Sequence, residues 1–166
     1  MLFHVYLMHL DFTTSTGPVD VAYPAWLMVE ARDAWMQGVR DDNTVFRAHQ
    51  ELALVIGELG IRIHEVERVM SDGCFSMDIY LPEHDVAVEF DVSTHFYYTT
   101  IDAPSSRDAS KVLRTARTEL RDLLLANQCA RVVTVPWFEW QDLGKTSEAC
   151  RAYVTEKLTR EAGVGE

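Results

Sequence analysis

The sequence predicts an α/β fold, built as a mixed sheet of about four strands flanked by helices. Two runs that alternate apolar and polar residues, at 76–81 and 86–92, predict a β-hairpin. A short continuous apolar run at 132–135 is typical of a strand that lies buried and parallel inside a sheet. The amphipathic segment before it is the natural crossover helix between parallel strands.

Length and charge limit the organisation of the chain. Its 166 residues suffice for one domain and are too few for two ordinary ones. We expect a helical N-terminal extension at 1–43, a main domain at 44–162 and a tail at 163–166. A formal charge of -11 argues against general attraction to nucleic acid, so any such binding needs a local basic patch.

The cysteines and the apolar runs argue against a disulfide-rich, a zinc-binding and a membrane-spanning protein. Cys74, Cys129 and Cys150 are odd in number and far apart, which suits neither a disulfide framework nor a zinc site with paired-ligand spacing. A reducing compartment fits better. No apolar run approaches ~20 residues, so we expect no membrane segment. The first residues lack the Arg-rich, Ser-rich character of a transit peptide, and we expect a processed or excised part of a longer protein.

Two helices are predicted before the sheet. The first covers residues 25–39 and begins after Pro24, with Trp26, Val29, Met36 and Val39 as packing candidates. The second follows the N-cap residues at 41–44 and ends at Gly60. Its apolar residues fall at i, i+3, i+4 and i+7 from Leu52. A first strand after Gly60 then turns into the hairpin, so that a helix precedes three antiparallel strands.

The hairpin places acids on one face. If the turn at 82–85 sets Leu81 opposite Val86, the same register sets Asp78 opposite Glu89, with Cβ atoms roughly 5 Å apart. Asp91 adds a third carboxylate on that face. Opposed like charges destabilise a sheet unless a cation, a shared proton or full solvation relieves them. A solvated face of an antiparallel pair is the simple alternative.

Basic residues gather after the hairpin. Residues 97–106 are predicted to form a loop, followed by a helix that runs to Asn127. At 100° per residue its basic side chains share the side opposite the apolar face. We interpret this basic stripe as a phosphate-contact surface, with solubility as the alternative. Its members are Arg107, Lys111, Arg114, Arg117 and Arg121.

Three blocks of the sequence resemble the RAP domain, a module of organellar RNA metabolism. They are Asp-Ile-Tyr-Leu at 78–81, Val-Ala-Val-Glu-Phe-Asp-Val-Ser-Thr-His-Phe at 86–96 and Val-Val-Thr-Val-Pro-Trp-Phe-Glu-Trp at 132–140. The resemblance covers about residues 46–158. That family is similar to PD-(D/E)xK and very short patch repair endonucleases. The resemblance therefore implies a restriction-endonuclease-like fold for the main domain, and a mitochondrial location.

The resemblance implies an RNA-binding module of mitochondrial RNA processing, stability or ribosome assembly, with RNA and other proteins of a ribonucleoprotein complex as partners. The alternative is an endoribonuclease in which Asp78, Glu89 and Asp91 hold Mg²⁺ or Mn²⁺, since these ions prefer carboxylate oxygens. A second alternative is a protein-docking module of such an assembly. Whether the chain is an enzyme is left open.

The sequence departs from the resembled pattern at several positions. Asp91 stands where the nuclease motif has its lysine, and Arg121 where many RAP domains have a lysine. Arginine cannot release its proton to act as a base. Val92 and Ser93 replace Gly-Pro before His95, a candidate general acid or base, metal ligand, or hydrogen-bonded strand-end residue. Trp137 and Trp140 are candidates to stack RNA bases, although wedging the last strand against the terminal helix is favoured.

Overall fold

The computed structural model describes residues 24–41, 47–64, 66–69, 76–98, 112–144 and 146–163. The chain divides into two compact units, Met1–Thr44 with Val69–Ser76, and Val45–Arg68 with Met77–Glu166. Helix α1, Ala25–Asp41, belongs to the first unit. It agrees with the predicted helix, but the predicted packing residues Trp26 and Val29 are 64% and 59% exposed.

The remaining elements follow the predicted order of a helix, three strands, a helix and a fourth strand, with a small ribbon inserted. In chain order they are α2 (Arg47–Glu58), β1 (Val66–Val69), β2 (Ser76–Leu81), β3 (Val86–Asp91), β4 (Phe96–Tyr98), β5 (Val112–Arg114), α3 (Ala116–Leu125), β6 (Arg131–Pro136), α4 (Trp137–Asp142) and α5 (Ser147–Ala162).

The main sheet has the strand order β1-β2-β3-β6. Strands β2 and β3 pair antiparallel with Leu81 opposite Val86, as predicted, and the turn between them places Asp85 at φ 52. Asp tolerates this left-handed conformation better than most residues. Strand β6 pairs parallel with β3, and Val88 lies beside Val133. The predicted mixed α/β architecture of about four strands is therefore confirmed.

The two faces of the sheet are covered by different helices. Strand β3 is buried at all six positions, so both of its faces are covered. On one face α2 and α5 form the apolar core with the sheet. On the other face α3 lies over the acidic side chains of β2 and β3. The core consists of Leu52, Ile56, Ile79, Leu81, Val86, Val88, Phe90, Val133, Val135, Val154 and Leu158.

The prediction of a helix after residue 106 is wrong at residues 112–114, while residues 107–111 lie outside the described ranges. Residues 112–114 form strand β5, which pairs antiparallel with β4, and Phe96 lies opposite Arg114. The helix begins only after Thr115, whose hydroxyl accepts a hydrogen bond from the Thr118 backbone N–H. Leu113 in this strand is 58% exposed. In the described part of the chain, no helix is long and apolar enough to cross a bilayer.

Candidate functional site

The hairpin holds two carboxylates where its backbone pairing ends. The β2–β3 register stops at Ile79 and Val88. At the next position, the Phe90 N–H donates to Asp78 Oδ2 at 2.7 Å and the Asp78 N–H donates to Glu89 Oε1 at 3.2 Å. Each side chain thus binds the backbone of the opposite strand in place of a carbonyl oxygen. Both are buried, at 5% and 1% exposure, and not solvated as the simple alternative required.

One arginine from α3 compensates both carboxylates. Arg121 Nη2 lies 2.6 Å from Glu89 Oε2 and 3.4 Å from Asp78 Oδ1. The Glu89 contact is close without the geometry of a hydrogen bond, so Oε2 has a counter-charge and no hydrogen-bond donor among the described residues. Burial is the main cause that raises the pKa of Glu89 well above its ordinary value. Asp78 raises it further, and Arg121 only partly offsets both effects.

The guanidinium of Arg121 keeps its charge despite its position. Burial opposes the charged form, but the nearby Glu89 and then Asp78 outweigh burial, and the pKa of Arg121 is raised. Its side chain is 24% exposed. Arg121 therefore acts as an internal cation with one side still open to solvent.

A histidine from the opposite face reaches the same carboxylate. His49 on α2 is 4% exposed, and its Nε2 lies 3.5 Å from Asp78 Oδ2. Its ring also contacts Phe90, with centroids 5.9 Å apart. Sequence reasoning missed His49, although its spacing of i, i+3 and i+7 with Leu52 and Ile56 placed it on the buried face of α2.

Asp91 has partners of its own. His95 Nδ1 lies 2.8 Å from Asp91 Oδ1, while Arg114 Nε and Nη2 lie 3.0 and 2.9 Å from Oδ2. Arg114 Nη2 also donates to Asp122 Oδ2 at 2.6 Å. Burial raises the pKa of Asp122, and the bond from Arg114 opposes that rise. The sequence did not single out Asp122, because an acid inside a basic segment has no distinguishing pattern.

The cluster carries more negative than positive groups. Four carboxylates face two arginines, and two histidines adjoin Asp78 and Asp91. Such an excess suits the retention of a proton or a cation and disfavours direct contact with an anion. The carboxylates are Asp78, Glu89, Asp91 and Asp122.

The residues as arranged do not fit a three-carboxylate ion site. Arg121 stands between Asp78 and Glu89, and both oxygens of Asp91 already accept from His95 or Arg114. Among the described residues, no three His, Cys, Asp or Glu side chains are grouped to hold a metal ion. The structure therefore brings Asp78 and Glu89 together and gives Asp91 separate partners.

The predicted basic stripe is not one solvent-facing surface. Arg114 lies on β5 and bonds to Asp91, and Arg121 points to Glu89. Arg117 is exposed on α3. The physical reason is that the acidic sheet face is covered, so the element above it must direct cations inward. Arg107 and Lys111 lie outside the described residues.

The two tryptophans are half-buried and pack against the core. Trp140 contacts Phe90 and Tyr153 edge-on, with ring centroids 6.4 and 6.3 Å away. Glu139, which lies between the two tryptophans in the sequence, accepts a hydrogen bond from the Tyr153 hydroxyl at 2.5 Å. Burial first and then this bond raise the pKa of Tyr153. Trp137 contacts Phe138 and packs against the core. The structural interpretation of this block accounts for these contacts.

No protein-family model matches the sequence, and no curated protein matches it. The geometry of the acidic cluster and the three sequence blocks are therefore what support a function.

Proposed function

We propose that the chain is an RNA-binding module of the RAP type, acting in mitochondrial or other organellar RNA processing, stability or ribosome assembly. One observation carries the proposal. Asp78 and Glu89, which come from two separate sequence blocks, meet under Arg121, which stands where the resembled family has a cationic residue. Residues that belong to distant motifs thus form one cluster.

The order of elements supports the same family. A helix, three strands and a crossover helix lead to a fourth strand that is parallel to the third. The sequence patterns predicted this order, and it is compatible with the restriction-endonuclease-like fold that the resemblance implies. Fold alone does not fix function, so the cluster has to carry the functional part of the proposal.

The RNA backbone would lie along the outer side of α3. The carboxylate excess repels phosphate from the interior of the cluster, whereas Arg117 is exposed one helical turn before Arg121. Arg121 is itself partly exposed and stays charged. Phosphates placed beside this turn would therefore meet cations before they meet the acids.

The test measures binding of fluorescent single-stranded RNA by anisotropy over a series of salt concentrations. Arg117→Glu should weaken binding regardless of RNA sequence and reduce the salt slope by about one for the lost phosphate contact. Arg47→Glu is the matched control, because Arg47 is 88% exposed on α2, which covers the other face of the sheet. We expect that control to bind like the parent.

Two results would count against this proposal. A parent protein that binds no RNA at low salt would reject the RNA-binding function and favour the protein-docking alternative. Equal binding by the parent and Arg117→Glu would reject α3 as the phosphate surface.

A metal-dependent endoribonuclease is the second candidate. It is favoured by Glu89 Oε2, a buried oxygen without a hydrogen-bond donor in the described region, which adjoins a second buried carboxylate. The position of Arg121 argues against this candidate, because Arg121 Nη2 lies 2.6 Å from that oxygen, where a metal ion would have to bind. A divalent ion could use Asp78 and Glu89 only if this guanidinium moved away.

A further inference from the structure

Asp91 bonds to two side chains that belong to the segment around the β4–β5 ribbon. Its Oδ1 faces His95 Nδ1 at 2.8 Å, and its Oδ2 faces two nitrogens of Arg114 at 3.0 and 2.9 Å. Asp91 is 1% exposed. We propose that Asp91 is a positioning residue that presents Nε2 of His95 to a ribose 2′-hydroxyl, so that His95 distinguishes RNA from DNA.

The main chain of His95 is held in place as well as its side chain. The backbone oxygen of His95 accepts from the Thr115 N–H at 2.8 Å and from the Thr118 hydroxyl at 3.4 Å. The residue after His95, Phe96, pairs with Arg114 in the ribbon. Main chain and side chain are therefore both held, and the imidazole has a defined orientation.

The contact with Asp91 sets the position of the proton in the neutral ring. A carboxylate accepts hydrogen bonds, so Nδ1 must carry the hydrogen that points at Oδ1. The other nitrogen, Nε2, then carries the ring's lone pair and is a hydrogen-bond acceptor. The Nδ1 edge of the ring faces a buried carboxylate, and the His95 side chain as a whole is 27% exposed.

An acceptor nitrogen selects for a hydroxyl donor. A phosphate oxygen is itself an acceptor and gains nothing from a neutral Nε2, whereas the ribose 2′-hydroxyl can donate to it. DNA lacks that hydroxyl. This inference rests on the proposed RNA binding and adds to it the feature of the nucleic acid that is recognised.

The first measurement is the side-chain ¹⁵N NMR spectrum of the full chain, with the His95 signals assigned by their loss in His95→Phe. In the parent we expect neutral His95 in the Nδ1–H form. In Asp91→Asn, the amide oxygen stays with Arg114 and the amide nitrogen faces the ring, so the Nε2–H form should dominate. Asp122→Asn is the matched control, because Asp122 contacts Arg114 and should leave the tautomer unchanged.

An Nε2–H ring in the parent would overturn the proposal without any variant having to fold. An unchanged tautomer in folded Asp91→Asn would overturn the positioning role of Asp91. Because the spectrum requires no RNA, it separates failure of this inference from failure of RNA binding.

The second measurement compares affinities for single-stranded RNA and DNA of one sequence. The parent should prefer RNA by about fivefold, the factor that one hydrogen bond contributes. His95→Phe should bind both equally, while His84→Phe, in the exposed hairpin turn, should keep the preference. Equal binding of RNA and DNA by the parent, or a preference that survives in His95→Phe, would overturn the inference.

Discussion

Arg121 Nη2 lies 2.6 Å from Glu89 Oε2 and 3.4 Å from Asp78 Oδ1, so one guanidinium serves two buried carboxylates on adjoining strands. This relationship explains how a sheet face that carries acids can be covered by a helix. It also links the local geometry to stability, because neither carboxylate is accessible enough for water to replace Arg121.

Replacement of Arg121 by Met should destabilise the protein strongly. Loss of one partner leaves two buried carboxylates uncompensated, which costs about 3–5 kcal/mol for a buried pair, and we expect the lower end because Glu89 can take up a proton. Arg117→Met is the control, since this exposed residue lies on the same helix and should change stability by less than about 0.5 kcal/mol. Urea unfolding of both variants measures the difference. Equal midpoints would mean that Arg121 is not a structural counter-ion.

Glu89 should make stability fall as the pH rises. The unfolded chain releases this proton near pH ~4.3, whereas burial raises the pKa in the folded protein. Above that pH the folded state binds more protons than the unfolded state, so its free energy of unfolding decreases until the folded group also ionises. Glu89→Gln keeps the side-chain volume and removes this dependence. The free energy of unfolding of the variant, relative to that of the parent, should therefore rise by up to about 1.4 kcal/mol per pH unit in that range.

Thermal melts of the parent and of Glu89→Gln measure this effect. They are recorded between pH 4 and pH 8, a range of ~4 units that lies mostly above the ordinary pKa of Glu. Glu83→Gln, in the exposed turn of the same hairpin, should follow the parent. A Glu89→Gln curve parallel to that of the parent would show that Glu89 ionises at its ordinary pH in the folded state.

The hairpin was predictable because its register follows from local chemistry. The turn at 82–85 and the alternation on either side set Leu81 opposite Val86, which fixed the position of Asp78 relative to Glu89. The hydrogen-bond partners of these two side chains could not be predicted from the register. Each one bonds to the backbone of the other strand, a choice that depends on the helix covering them and not on the spacing along either strand.

The wrong helix prediction around residue 114 has a similar cause. Periodicity alone counted Arg114 and Arg121 as members of one helical stripe. The local signal for a later helix start was present, because Thr115 can cap a helix through the Thr118 N–H. The inward direction of Arg121 depends on a buried acidic face supplied by residues more than thirty positions earlier. A single-sequence pattern carries no information about that long-range pairing.

Trp140 should matter for stability and not for RNA stacking. It contacts Phe90 and Tyr153, so Trp140→Ala removes packing between β3 and α5 and should cost about 2–3 kcal/mol for a half-buried ring. Trp26→Ala should change stability by less than about 0.5 kcal/mol, since Trp26 is 64% exposed. Urea unfolding provides the comparison. If Trp140→Ala kept full stability and lost RNA affinity, Trp140 would instead be a stacking residue.

The last prediction separates binding from cleavage. Cleavage needs a water aimed at the phosphate and stabilisation of the developing charge. Asp91 stands where the nuclease motif that the sequence resembles has a lysine, and it is engaged by His95 and Arg114, while Arg121 faces Glu89. We therefore expect slow or absent cutting of single-stranded RNA by the purified chain in Mn²⁺, alongside measurable retention of that RNA.

The assay compares the parent with Asp78→Asn and Glu89→Gln, which keep side-chain volume and acceptor oxygens so that both backbone bonds of the hairpin can persist. Circular dichroism and an unfolding curve establish first that each variant is folded. Glu83→Gln is the control for a carboxylate lost from the same hairpin outside the cluster. Discrete RNA fragments that form with the parent and the control, and that vanish in both cluster variants, would identify an endoribonuclease. Uncut RNA with all four proteins is the result that we expect, because the guanidinium of Arg121 already holds the position that a catalytic cation would need.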